Sequence, residues 1–223
     1  MVATDLLQGG IYTITEAAFL VGVSQQKIRG WTAGYSGRKS SPIIQVDIGS
    51  SGDRRALSFR NLMEIRFVRV FEHAGVRLGH IRSIIEQVRE ITRHPHPFAT
   101  DIVFRTDGQK VVGLIKSQIY DLKSKNLEMF EVVFNSLKDD VEYDFNGNAQ
   151  SWFPRRQIAP NVIVHPSFSF GSPILKQSKI PTRTLADAVK AEGEISIVAD
   201  MYEVRVREVR EAIAFENELR KAA

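Results

Sequence analysis

A chain of 223 residues with 43% hydrophobic and 25% charged side chains is a globular chain, not a disordered one, and is long enough for more than one core. It contains no cysteine, which excludes a disulfide scaffold, a thiolate metal site and a cysteine nucleophile. No apolar run approaches the roughly 20 residues of a membrane span, and the opening MVATDLLQGG has neither the basic region nor the apolar block of a signal peptide, so a cytoplasmic protein carrying a net charge of +4 is expected.

Thr13-Ile14-Thr15-Glu16 has capping-box spacing, which predicts a helix from there to Gly22, and Ser24 caps a second helix to about Thr32. PIIQVDI and RRALS, separated by GSSGD, read as a hairpin between Pro42 and Ser58. Ser58 caps a third helix over 59–74, ended by Gly75. A fourth has the stripe Leu78, Ile81, Ile84, Ile85 and Val88, with Arg82, Glu86, Arg89 and Glu90 facing water, and stops at His94-Pro95-His96-Pro97.

The middle changes character. DIVFR-TDGQ-KVVGLI reads as a hairpin around Asp107-Gly108, and VEYDF-NGN-AQSWF as another around Asn146-Gly147, with Asn126 capping a helix to Leu137 between them. A proline-bounded linker, Pro154–Pro160, a short strand at 162–164, and helices over 182–191, 194–202 and 205–217 complete the chain. The expected class is α+β, mainly α: a head over 1–97, an insert and linker over 98–160, and a helical tail over 161–223.

Ala18, Gly22, Val23 and Ile28 meet the demands of a helix-turn-helix: a small residue at the crossing, a residue tolerating positive φ, and two apolar positions sealing and pinning the second helix. Ala199, Glu203, Val204 and Val209 repeat those offsets, with a costlier residue at the turn. Charge marks the first motif. Residues 24–60 hold seven basic groups (Lys27, Arg29, Arg38, Lys39, Arg54, Arg55, Arg60) against Asp47 and Asp53, whereas 161–223 hold nine of each sign. With Val23 and Ile28 inward, Gln25, Gln26, Lys27 and Arg29 face out, where Gln suits adenine and Arg guanine in a major groove, and Ser24 suits a phosphate. The expected partner is double-stranded DNA.

YTITEAAFLVGVSQQKIRGW and then RALSFRNLMEIRFVRVFEHAGVRLGHIRSIIEQV resemble the winged-helix DNA-binding domain of MerR-type regulators over nearly all of 12–90. The resemblance implies DNA contacts from Ser24–Arg29, from a wing carrying Arg54 and Arg55 with Arg38 and Lys39 at its entrance, and from Ser58–Arg60. It departs from that family at HPHP, which interrupts the expected dimerisation helix. The stretch 162–216 is similar to a small helix-turn-helix family, domain of unknown function 433, through Gly171-Ser172-Pro173-Ile174, Ile180-Pro181-Thr182, Ala199 and Val209–Ala212. Arg205 stands where that family has a capping residue.

The order of the two modules resembles VapB-type antitoxins of type II toxin–antitoxin pairs. That resemblance implies a PIN-domain ribonuclease toxin as partner and repression of the chain's own operon. The toxin-binding surface stays open, with Lys176, Lys179, Arg183, Arg205 and Arg207 as candidates. Alternatives are a MerR-like regulator of other genes sensing a small molecule through the insert, and a protein–protein adaptor that never touches DNA. A homodimer is expected, with the strand edges of 98–160 as its candidate interface.

No catalytic residue, metal or cofactor is expected. His94 and His96 read as a solvated linker, and the acids from Asp139 to Asp144 as the wet face of a strand. His73, His80 and His165 read as structural, and Trp31 and Trp152 as core anchors.

Overall fold

The computed structural model describes residues 9–35, 41–48, 56–104, 109–120, 134–135 and 137–221. Its fold is mixed α and β. Strand β1 (Ile11–Tyr12) leads into α1 (Ile14–Val21), whose N-terminus carries the full capping box: Thr13 Oγ1 accepts from Glu16 N at 3.1 Å, and Glu16 Oε2 accepts from Thr13 N at 2.7 Å. Helix α2 (Gln25–Ala33) starts at Ser24, whose hydroxyl accepts from Lys27 N. Strand β2 (Leu57–Ser58) precedes α3 (Phe59–His73) and α4 (Leu78–Thr92).

The expected hairpin between Pro42 and Ser58 is not the pairing that forms. Leu57 and Ser58 pair antiparallel with Tyr12 and Ile11, and residues 41–48 carry no strand. Ile43 and Ile44 are both buried, and both donate their N–H to the Trp31 carbonyl at the end of α2. Two adjacent inward side chains cannot sit on one alternating strand. The GSSGD turn lies outside the described residues.

The hairpin expected around Asp107-Gly108 is also replaced. Residues 101–103 form a 3₁₀ turn and Gln109–Tyr120 form α5. Val111 and Ile115 are one helical turn apart and both buried, so the apolar run KVVGLI follows helical, not strand, spacing. Asp107-Gly108 themselves, and the helix expected from Asn126, fall outside the described residues, apart from the last few positions of the latter.

The second hairpin forms as expected: β3 (Val141–Tyr143) and β4 (Ala149–Trp152) join across a turn with Gly147 at φ 83°. The sheet then continues antiparallel through β5 (Val162–Val164) to β6 (Pro173–Leu175), with Trp152 opposite Val164 and Val162 opposite Leu175. One sheet therefore runs across the expected boundary at 160/161, and β5 occupies the β4 edge expected to be free for a second protomer. The tail ends in α6 (Thr182–Glu192), α7 (Ile195–Met201) and α8 (Val206–Lys221).

Among the described residues one large contiguous core links these parts, from Tyr12 through Trp31, Phe67 and Trp152 to Phe215, beside a small separate cluster of Phe153, Ile163 and Ile174, and both tryptophans are buried as anchors. Polar ties reinforce it. Arg66 on α3 donates to the Leu137 carbonyl at 2.8 Å and pairs with Asp140 at 3.3 Å, its guanidinium 5.6 Å from the Trp152 ring. Burial lowers its pKa to about 10, held there against Asp140.

Candidate nucleic-acid interface

Helices α1 and α2 pack through the tight turn that the spacing predicts. Gly22 has φ 73° and donates to the Ala18 carbonyl at 2.8 Å; Val23 N donates to the same oxygen at 3.0 Å. Only a residue without Cβ takes this left-handed step at no cost. Ala18 and Ile28 are buried, which fixes α2 by one face and leaves Gln26, Lys27, Arg29 and Ser24 exposed, with Gln25 half-buried. Arg29 Nη2 reaches Gln25 Oε1 at 3.4 Å on the adjacent turn.

Two of the expected contact residues are engaged elsewhere. Lys27 Nζ lies 2.7 Å from Glu72 Oε2 on α3, so its ammonium points along the flank of α2. Ser58 is buried, accepts from Asn61 N as the cap of α3 and donates to Asp47 Oδ2 at 2.5 Å. Arg60, one residue into α3, is exposed beside them. Arg38, Lys39, Arg54 and Arg55 lie outside the described residues.

The stem that leads toward those arginines is clamped by a buried network that sequence reading assigned to a solvated linker. His96 is only 3% exposed. Its Nε2 is 2.5 Å from Asp47 Oδ1, and its Nδ1 is 3.2 Å from Oε2 of the fully buried Glu64. Arg89, expected to face water, donates to Glu64 Oε1 at 3.0 Å and to the Pro95 carbonyl at 2.8 Å. Asn61 completes the clamp, accepting from Asp47 N and donating to the Gln45 carbonyl. Burial disfavours the His96 imidazolium, but bonds to Asp47 and Glu64 outweigh it and push its pKa up to about 9. Asp47 faces the same balance in reverse: burial raises its pKa, and His96 and Ser58 bring it below the usual carboxylate range.

Sequence reading also missed Arg155. It comes from the expected linker and caps the C-terminus of α1, donating to the Leu20 carbonyl at 3.1 Å and to Phe19 at 3.5 Å. A cation there suits the negative end of the helix dipole. The only local signal was an arginine pair in a proline-bounded turn.

The second helix pair repeats the first turn. Glu203 takes φ 53°, Val204 N donates to the Ala199 carbonyl at 2.9 Å, and Ala199 and Val209 are buried. Arg205 offers no side-chain acceptor, and Glu208 Oε2 accepts from its N–H at 3.0 Å. Among the five basic residues of this tail singled out above, Arg183 and Arg205 are exposed, and Arg207 pairs with Glu211 at 3.2 Å. Lys176 is bonded to Glu142, and Lys179 donates to the Lys176 carbonyl at 2.6 Å. Three of the acids of 139–144 are likewise engaged: Asp140 with Arg66 and Arg156, Glu142 with Lys176, and Asp144 with the N–H groups of Asn146 and Asn148, whereas Asp139 is exposed. Among the described residues no group of three or more His, Asp or Glu is placed to hold a metal ion, and no helix is long and apolar enough to cross a membrane.

No protein-family model matches the chain, and comparison with curated proteins finds no match. Among solved structures it is similar to Rv2018 from Mycobacterium tuberculosis, with a TM-score of 0.72 and 22% identity over 91% of this chain and 96% of that one. At that identity the likeness is one of fold.

Proposed function

We propose that the chain is a DNA-binding antitoxin that represses its own operon and neutralises a PIN-domain ribonuclease toxin. In this reading α1 and α2 are the helix-turn-helix of a MerR-like winged head, and α7 and α8 form a second one of the domain of unknown function 433 type. The carrying observation is the outward face of α2, where Gln26 and Arg29 stand exposed on a helix pinned from behind by buried Ile28. Those side chains suit base edges in a major groove. Arg60 supplies an exposed cation for a neighbouring phosphate.

The protein acts in the cytoplasm, as a homodimer reading a two-fold site, and catalyses nothing itself. The toxin contact belongs to the tail, where Arg205 is exposed in the turn ahead of α8.

The test is binding to duplex DNA from upstream of the chain's own reading frame. Gln26→Ala/Arg29→Ala, folded by circular dichroism, should bind at least about tenfold more weakly, since a bidentate base contact is worth about 1–3 kcal/mol. Unchanged affinity removes α2 from the interface. Co-expression with the neighbouring reading frame tests the second half of the proposal: a complex that silences a co-encoded ribonuclease is expected.

A further inference from the structure

A cleft of about 780 Å³ opens between α1 on one side and α6 and α8 on the other. That volume suits a ligand of nucleotide size. No described residue of the central insert, the sensing region in the alternative reading of a small-molecule regulator, lines it.

One wall is the N-terminus of α6. Pro181 stands at its N-cap and has no side chain to accept from the first turn, which leaves the positive end of the helix dipole without a side-chain cap at the wall of the cleft. Two guanidiniums join them. Arg183 is 84% exposed and only loosely tethered, 3.6 Å from Asp187. Arg220 has no carboxylate partner among the described residues. The acids of the lining are engaged: Glu16 in the capping box of α1, Asp187 with Lys190 at 2.6 Å, and Glu216 with the buried Thr182 hydroxyl at 2.5 Å.

A second wall is apolar and strained. Ser169, Phe170 and Gly171 have φ 46°, 55° and 86° in succession, which leaves the Phe170 ring 74% exposed at the cleft. Left-handed backbone costs about 1 kcal/mol at a non-glycine residue, and such strain gathers at ligand sites. Behind Gly171 lies Tyr12, which also lines the cleft; it is 2% exposed and its hydroxyl has no hydrogen-bond partner. A buried hydroxyl without a partner is costly and points to a group that completes it.

We propose that this cleft binds a small aromatic anion, its phosphate or carboxylate held at the N-terminus of α6 by Arg183 and Arg220 and its ring set against Phe170. The chemistry stands whether or not α2 reads DNA. The two sources of such an anion, nucleotides and aromatic carboxylic acids, are separated by titrating the full chain calorimetrically with AMP, salicylate and uncharged adenosine. AMP or salicylate should bind with Kd below about 1 mM, and the uncharged probe at least about tenfold more weakly. Arg183→Ala/Arg220→Ala should weaken the anion about tenfold or more while leaving adenosine unchanged, and Phe170→Ala should weaken both classes. Neither anion binding at 10 mM-scale concentrations (about the limit of the method) overturns the proposal. So does undiminished anion binding by the folded double variant.

Discussion

Glu203 holds in the second helix pair the left-handed backbone step that Gly22 holds in the first, φ 53° against 73°. Both steps are followed by an N–H that returns to an alanine one turn back, Val204 to Ala199 and Val23 to Ala18. The same turn is therefore unstrained in one pair and strained in the other. Glu203→Gly should stabilise the protein by about 0.5–1 kcal/mol, the relief of left-handed strain less the added freedom of the unfolded chain. Gly22→Ala should destabilise it by about 1 kcal/mol, although the space around Gly22 is ordinary. Urea denaturation of both variants checks this. Equal destabilisation by the two would show that Glu203 holds the turn through its side chain.

The His96 clamp makes stability fall as pH rises. Its folded pKa, about 9, lies above the ordinary imidazole value of 6.5. The charged imidazole therefore contributes its full stabilisation below about 6.5, and that contribution is lost as pH climbs through 9. The effect should be on the order of 2 kcal/mol after allowance for water reaching Asp47, whose side chain is 23% exposed. Melting temperatures of the native chain should drop over this window, and those of His96→Gln should start lower and stay flatter. A native profile that is flat from pH 6 to 10 would show that His96 is neutral in the clamp.

Arg66 ties α3 to the sheet region through the Leu137 carbonyl and Asp140. Arg66→Ala leaves the buried Leu137 carbonyl without its donor and Asp140 with only the longer pairing to Arg156, a loss of about 3 kcal/mol. Arg66→Met fills the volume and should recover part of that, because packing against Trp152 persists. Chemical denaturation of the pair separates charge from packing: identical losses would leave packing with no share.

What the sequence made legible was local. Thr13 with Glu16, Ser24 as a cap, the stripe Ile81–Ile85–Val88 and the turn at Gly147 each depend on neighbours within a few positions, and all four take their expected form. Apart from the KVVGLI run, whose helical spacing is itself local, the errors were non-local. The strand at Leu57 found its partner at Tyr12, far earlier in the chain, because the intervening Ile43 and Ile44 close the end of α2. His96 looked like a solvated linker because proline flanks it, and nothing near it reveals that Asp47 and Glu64 converge there. At the candidate interface, spacing placed Gln26 and Arg29 outward correctly, but Lys27 has the same exposure pattern, and its ion pair with Glu72 is a tertiary contact.

That ion pair separates the roles of the α2 side chains. Lys27 and Glu72 are 50% and 27% exposed, so the pair contributes less than about 1 kcal/mol to stability and either partner can be removed from a folded protein. If α2 enters a DNA groove, Glu72 holds one cation away from the phosphates and adds a negative charge beside them. Glu72→Ala should then tighten DNA binding severalfold and steepen the dependence of log affinity on log salt by about 1, one further phosphate contact. Lys27→Ala should change affinity little, because its charge is already neutralised locally. Arg29→Ala should instead relax sequence preference at one base position, at a cost of about 1–3 kcal/mol on the preferred site, with only a small change in salt slope. Fluorescence anisotropy at several salt concentrations reads all three. Weaker binding by Glu72→Ala would reverse the argument, since it would mean that the carboxylate positions Lys27 for a contact instead of withholding it.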